Sequence, residues 1–158
     1  MRILFVCLGN ICRSPTAEGV FRRRLEEAGL AEVVTVDSCG TGGWHIGKAP
    51  DARAQAAARG RGVDLSSLRA RQLDAEDFVR FDYLLAMDDD NLASLEALRP
   101  ADCDAQVGLL LDFAGEAGRA VPDPYYGGEQ GFDEVLDLVE RAADGLIDHL
   151  RQRLECER

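Results

Sequence analysis

Apolar and polar positions follow two rhythms along this chain. Four short runs are apolar with little interruption: Ile3–Val6, Val33–Val36, Tyr83–Met87 and Ala105–Leu110. Runs of that length predict strands buried on both faces, as in a parallel sheet. Between them the apolar residues return every three or four positions, the spacing of a helix with one buried face. Ala17, Val20, Phe21, Leu25 and Ala28 predict a helix over 14–28, with Ser14 as its N-cap, Pro15 at its first helical position and Gly29 as its stop. Further helices are expected over 51–59 after Asp51, over 74–80, over 89–98 after Asp88, and from Phe132 through Leu150. Ser38–Gly43 reads as the turn closing the second strand, and 112–130, rich in Gly, Pro and Asp, as a long loop. Such loops are uncommon unless functional.

Strand and helix signals in the order β-α-β-α-α-β-α-β-α predict an α/β protein. The expected architecture is a three-layer sandwich: a four-stranded parallel sheet with helices on both faces. A length of 158 residues suits a single domain over 1–158. In sheets of this kind ligands bind beyond the carboxyl ends of the strands, and Cys7 falls at that end of the first one.

Composition narrows the possibilities. With 46% hydrophobic and 30% charged residues the chain is expected to be globular, not disordered. A net charge of −11 excludes binding to nucleic acid or to an anionic membrane through the overall field. An anionic substrate would need local donors that overrule it. The apolar start of the chain is too short for a signal peptide or a membrane span, and nothing later approaches one. The cysteines number five, an odd count, and their spacing suggests no disulfide framework, so a reducing cytoplasm is expected.

The segment Cys7-Leu8-Gly9-Asn10-Ile11-Cys12-Arg13-Ser14-Pro15 leaves a buried strand and opens a helix. In this setting converging backbone N–H groups and the helix dipole make an anion site. Gly9 and Asn10 tolerate positive φ, which lets a short loop curl into a cradle for phosphoryl oxygens. Arg13 adds a planar fork suited to two oxygens at once. Cys7 sits at the base of that nest, and positive surroundings favour the thiolate, the form that attacks. The Ser14 hydroxyl can direct its proton at the sulfur while its oxygen accepts a helix N–H. A second constellation lies in the long loop, where Pro122 and Pro124 hold Asp123 beside Tyr125 and Tyr126. Alone it reads as a surface turn. Coupled to a cysteine nucleophile, Asp123 becomes a candidate acid for a leaving oxygen and then a base for water.

Together these segments resemble the low-molecular-weight protein tyrosine phosphatase family over nearly the whole chain. The resemblance rests on Val6 through Pro15, Val36-Asp37-Ser38, Ala70-Arg71-Gln72, Phe81-Asp82-Tyr83, Met87-Asp88 with Asn91, and Asp123 through Gly127. It implies Cys7 as nucleophile, Arg13 as phosphate-binding arginine and Asp123 as general acid. It further implies Leu8, Gly9, Asn10, Ile11, Cys12, Ser14 and Ser38 in the phosphate loop and its support, and Trp44, Tyr125 and Tyr126 as walls of the substrate slot. No cofactor or metal is implied, and the partner would be a phosphotyrosine protein or a small aryl phosphate, with the chain a monomer or weak dimer. A reversible Cys7–Cys12 disulfide is also implied. One departure stands out: where the family often carries a histidine supporting the loop asparagine, this chain has Leu68, and Ser38 is the expected substitute.

Rival readings are weaker. Arsenate reductase, on the same fold, needs further cysteines, and Phe78–Leu92 contains none. A phosphate-binding module needs no nucleophile. A protein arginine phosphatase would, by the resemblance, carry a smaller polar residue at Ile11. His45 and His149 join no metal-ligand pattern, and Asp88 is read as a helix cap.

Overall fold

The computed structural model describes residues 1–116, 118–125 and 129–156. Strand β1 (Arg2–Cys7) pairs with β2 (Thr35–Gly40) on one side and with β3 (Tyr83–Ala86) on the other. Strand β4 (Gln106–Leu109) lies outside β3, giving a parallel sheet of order β2-β1-β3-β4. The helices are α1 (Arg13–Glu27), α2 (Ala52–Arg59), α3 (Asp77–Arg80), α4 (Asp89–Leu98) and α5 (Glu129–Cys156). The α/β sandwich expected from the apolar pattern is the fold observed.

Alternate side chains of β1 leave by opposite faces of the sheet. Ile3, Phe5 and Cys7 join Phe21 and Leu25 of α1 and Val139 and Leu146 of α5 in the larger core. Leu4 and Val6 meet Phe78 of α3, Leu95 of α4 and Leu84 of β3 on the other face. Phe5 and Phe21 pack edge to face, with ring centroids 5.5 Å apart. Truncating either to alanine would cost about 3–5 kcal/mol, the range for a large buried ring.

Several boundaries differ from the sequence expectation. Strand β2 runs over Thr35–Gly40 instead of Val33–Val36, because β1 pairs along its whole length, from Arg2 opposite Thr35 to Cys7 opposite Gly40. The ladder thereby draws Ser38–Gly40 out of a turn and into the sheet. Gly40 is required there, since a Cβ would lie 2.7 Å from the carbonyl oxygen of Leu8. Helix α1 begins at Arg13, so Ser14 is not its N-cap, and the capping position, Cys12, makes no side-chain cap. Helix α3 keeps only Asp77–Arg80, because Asp74 accepts from the Glu76 N–H at 2.9 Å and Asp77 from the Asp74 N–H at 2.8 Å. Such local bonds compete with the helix. Leu110–Ala114 form a short 3-10 helix that runs from the end of the expected fourth strand into the expected loop over 112–130.

Candidate active site

The segment between β1 and α1 curls tightly. Asn10 has φ 58, the one positive value at a non-glycine among the described residues, whereas Gly9 keeps a negative φ. The carbonyls of Cys7, Leu8, Ile11 and Cys12 are turned outward, accepting from the N–H groups of Thr41, Gly42, Asp51 and Thr16 at 2.9, 2.9, 2.8 and 3.3 Å. In a trans peptide the following N–H points the opposite way. The N–H groups of Leu8, Gly9, Cys12 and Arg13 therefore face the inside of the curl.

Cys7 lies at the base, 3% exposed. Its sulfur is 2.9 Å from the Ser14 hydroxyl and accepts from the Asn10 N–H at 3.3 Å. The Asn10 side chain fixes which way the serine proton points. Its amide nitrogen donates to Ser14 Oγ at 2.8 Å and to Ser38 Oγ at 3.0 Å. With that oxygen accepting, the Ser14 proton is left for Cys7 Sγ or, 3.3 Å away, the Cys39 carbonyl. The oxygen thus accepts from Asn10, not from a helix N–H as the sequence suggested. The acceptor oxygen of Asn10 takes the backbone N–H of Arg71 at 3.0 Å. The Ser38 hydroxyl donates to Glu18 Oε1 at 2.7 Å, and Arg22 donates to the other oxygen of Glu18 at 2.7 Å. Ser38 and the Arg71 backbone thus do the supporting at a site where Leu68 cannot, being packed against the larger core.

Cys12 shares the curl but not the role. Desolvation, aided by the charge of Asp51, pushes its thiol up to about 12, so it stays protonated at neutral pH. Burial likewise raises Glu18 above the usual carboxyl value, against the pull of its bonds from Ser38 and Arg22.

Arg13 is 3% exposed and projects from the start of α1. Its Nη1 donates to Asp88 Oδ2 at 2.6 Å and to the Val121 carbonyl at 3.0 Å, while Nη2 lies 3.7 Å from Asp123 Oδ2. Asp88 caps α4 as expected, accepting from the Asn91 N–H at 2.8 Å, but its second oxygen orients the arginine. Asp123 is 42% exposed. The backbone N–H of Tyr125 donates to its Oδ1 at 3.0 Å.

These residues surround a cleft of about 330 Å³ lined by Cys7, Leu8, Gly9, Ile11, Cys12, Arg13, Trp44, His45, Asp123 and Tyr125. The cleft opens beyond the carboxyl ends of β1 and β2. Trp44 and Tyr125 stand at its rim, 69% and 38% exposed. The Trp44 ring rests on Gly42, where any Cβ would overlap it. Asn10, Ser14 and Ser38 lie behind the loop, and Tyr126 falls outside the described residues. Glu18, His45, the bond of Asp88 to Arg13 and that of the Arg71 backbone to Asn10 were not anticipated here. Only Glu18 carried a signal: it sits one turn after Ser14 on the apolar face of α1, an unusual place for a carboxylate.

Comparison with known proteins agrees with this geometry. The family model described as low molecular weight phosphotyrosine protein phosphatase matches residues 2–156. A low molecular weight protein-tyrosine-phosphatase of Streptomyces coelicolor is 47% identical over 158 residues, covering 98% of this chain and 96% of that protein. Among solved structures, a protein tyrosine phosphatase from Entamoeba histolytica superposes with a TM-score of 0.91 at 40% identity, covering 96% of this chain and 97% of that one. A drosophila arginine phosphatase gives a TM-score of 0.89 at 32% identity, with coverage of 95% and 98%. With a buried thiol under an arginine, an acid across the cleft and a match over almost its full length, the chain belongs to the low molecular weight phosphotyrosine protein phosphatase family.

Proposed function

We propose that this chain hydrolyses phosphotyrosine and related aryl phosphates through a phosphocysteine formed on Cys7. The observation that carries the reading is the thiol itself, buried at the base of the cleft with a hydroxyl at 2.9 Å and an N–H at 3.3 Å aimed at its sulfur. In the first step the sulfur attacks phosphorus and the bond to the tyrosine oxygen breaks. Asp123 gives its proton to that oxygen. Arg13 and the N–H groups of Leu8, Gly9, Cys12 and Arg13 hold the oxygens that stay on phosphorus, with Asn10, Ser14 and Ser38 fixing the loop. In the second step Asp123, now a carboxylate, takes a proton from water, whose oxygen attacks phosphorus. The sulfur–phosphorus bond breaks, inorganic phosphate leaves and Cys7 returns as thiolate. Trp44 and Tyr125, with Tyr126 by resemblance, wall the slot that receives the ring.

The route uses no metal or cofactor, since the arginine and backbone donors supply the positive field. The chain acts as one domain, monomeric or weakly dimeric, in a reducing cytoplasm. Family resemblance adds a Cys7–Cys12 disulfide as an oxidised resting form. A peroxide would oxidise the Cys7 thiolate by two electrons to a sulfenic acid, and the Cys12 thiol would then form the S–S bond with loss of water.

The test is hydrolysis of an aryl phosphate by wild type and Cys7→Ser, each with and without EDTA. Turnover is expected to vanish in the variant and to ignore the chelator, while phosphate still binds the backbone cradle. Retention of more than about a thousandth of the activity would point to another nucleophile. Loss to EDTA would point to a metal. The competing substrate is phosphoarginine, suggested by the likeness to the arginine phosphatase. Ile11 lines the cleft and offers a guanidinium no hydrogen bond, which favours a ring. Matched phosphopeptides should give a higher kcat/KM for phosphotyrosine; an equal or lower value would reassign the substrate and leave the cysteine chemistry in place.

A further inference from the structure

We infer that Arg53, outside the cleft lining, is a positioning residue that holds Asp123 in place for proton transfer. The inference rests on the reading of Asp123 as proton donor. Arg53 is the second residue of α2, and Asp51 caps that helix by accepting from the Arg53 N–H at 2.8 Å. The same carboxylate grips the guanidinium, with Nε at 3.1 Å from Oδ1 and Nη2 at 3.0 Å from Oδ2. Hydrogen bonding from Arg53 holds Asp51 below the usual carboxylate range, so the grip persists across the pH range of interest. The start of α2 is itself pinned to the phosphate loop, since the Asp51 N–H donates to the Ile11 carbonyl at 2.8 Å.

From this fixed base the guanidinium reaches the acid loop. Nη2 donates to the Tyr125 carbonyl at 2.9 Å. The guanidinium carbon lies 4.8 Å from the Phe132 ring centroid and 5.7 Å from that of Tyr125. Phe132 is 3% exposed in α5 and packs beside Cys12 and Ala54, which makes it a rigid floor. Tyr125 is therefore held at both ends of its backbone, its carbonyl by Arg53 and its N–H by Asp123 Oδ1 at 3.0 Å. One residue separates the arginine's bond from the carboxyl that must meet the leaving oxygen. Arg53 thus joins the phosphate loop, α2, α5 and the acid loop. A solvated surface arginine, the ordinary reading of this position, would make no such set of contacts.

A displaced acid is costly, because misplacement by about 1 Å at a reacting centre can lower a rate about 100-fold. The experiment measures kcat/KM over aryl phosphates of graded leaving-group pKa for wild type, Arg53→Gln, Arg53→Lys, Asp123→Asn and the Arg53→Gln/Asp123→Asn double variant. Inhibition by inorganic phosphate is measured alongside, with thermal melting as a check on folding. Arg53→Gln should lose roughly 10- to 100-fold with poor leaving groups and little with activated ones, with phosphate inhibition unchanged. Arg53→Lys should recover only part, since an ammonium can reach one carbonyl but cannot fork and stack as well. In the Asp123→Asn background, Arg53→Gln should add no further loss, an outcome that a merely structural arginine would not give. Full additivity, a loss equal for all leaving groups, or no loss at all would overturn the role of Arg53 while leaving Asp123 as the acid. An Asp123→Asn variant indifferent to leaving group would remove the donor and this inference together.

Discussion

Residues 7–14 and 121–125 face each other across the cleft and are held in different ways. In the first segment the anchoring side chains are buried, with Asn10 at 2% and Ser14 at 0% exposure, and each bonds to a neighbour that is bonded in turn. Ser38, Glu18, Arg71 and the Cys39 carbonyl all converge behind it. The second segment carries an acid 42% exposed and is tied at spaced points along its backbone. The Val121 N–H donates to the Met87 carbonyl at 2.7 Å, the Val121 carbonyl accepts from Arg13, and the Tyr125 carbonyl accepts from Arg53. Under the proposed mechanism the contrast follows from what each must do. Donors that stabilise a phosphoryl transition state work only if they need not reorganise as charge develops. A proton donor must meet leaving groups of different shape and let phosphate out, so it belongs on the less constrained side.

The strongest way to sharpen this comparison is to remove the acid alone. Asp123→Asn should lower kcat/KM about 10²–10⁴-fold for poorly activated leaving groups, the usual worth of a positioned acid. With an activated aryl phosphate, whose phenolate leaves unaided, the loss should be small. Phosphate binding should change little, since the carboxyl lies 3.7 Å from the nearest Arg13 nitrogen and donates nothing to the cradle. A uniform loss across leaving groups would make the acid loop structural and erase the contrast.

Asn10 tests the other side. Asn10→Ala removes three side-chain bonds and places a Cβ residue without a local hydrogen bond at φ 58. A left-handed residue costs roughly 1–2 kcal/mol and each buried group left unpaired about 1–3 kcal/mol. A loss of about 3 kcal/mol in unfolding free energy is expected, with a fall in activity for every leaving group alike. Asn10→Gly relieves the backbone term only. If glycine restored activity as well as stability, the side-chain network would be dispensable and the first loop would owe its shape to φ alone. Urea unfolding of both variants beside the leaving-group series separates these outcomes.

How much of this was legible beforehand depends on the distance over which a residue acts. Buried strands announce themselves by composition, and Phe132, Val135, Val139, Ala142 and Leu146 keep helical spacing in α5, so the sheet and this helix could be read directly. The phosphate loop was legible because its signals are local: strand, Gly-Asn, Arg and Ser-Pro within nine residues. Asp88 was read only as a cap because one of its oxygens does cap α4; nothing local announces the second oxygen's bond to Arg13, 75 residues away. The Arg71 backbone reaches Asn10 across 61 residues and Glu18 meets Ser38 across 20, contacts set by sheet register and not by spacing. The same register moved β2 beyond its apolar run. His45 reaches the cleft because the turn after β2 folds back over the loop, which no periodicity encodes.

The smallest expected effect concerns the charge furthest behind the first loop. Glu18 is buried, and burial raises its pKa above the ordinary 4.5 despite bonds from Ser38 and Arg22. The folded protein thus binds that proton more tightly than the unfolded chain. The contribution to stability is fully present below about 4.5, the unfolded value, and is lost as pH rises through the higher folded value. Near neutrality the ionised carboxylate is the form the fold tolerates less. Glu18→Gln keeps an oxygen for the Ser38 hydroxyl and removes the charge. It also removes the ion pair with Arg22, whose side chain is 48% exposed, a loss of about 0–1 kcal/mol. The variant should therefore melt no lower than wild type at pH 7–8, with each kcal/mol gained worth about 2–4 °C. Relative to wild type it should fall back as pH drops toward about 4.5, where Glu18 is itself protonated. Its kcat/KM should be unchanged, because Ser38 still supports Asn10. A melting temperature depressed at pH 7–8, with the deficit vanishing as pH drops toward about 4.5, would mean that the carboxylate acts as a charge, and that the first loop is held by an ion pair and not by a chain of neutral hydrogen bonds.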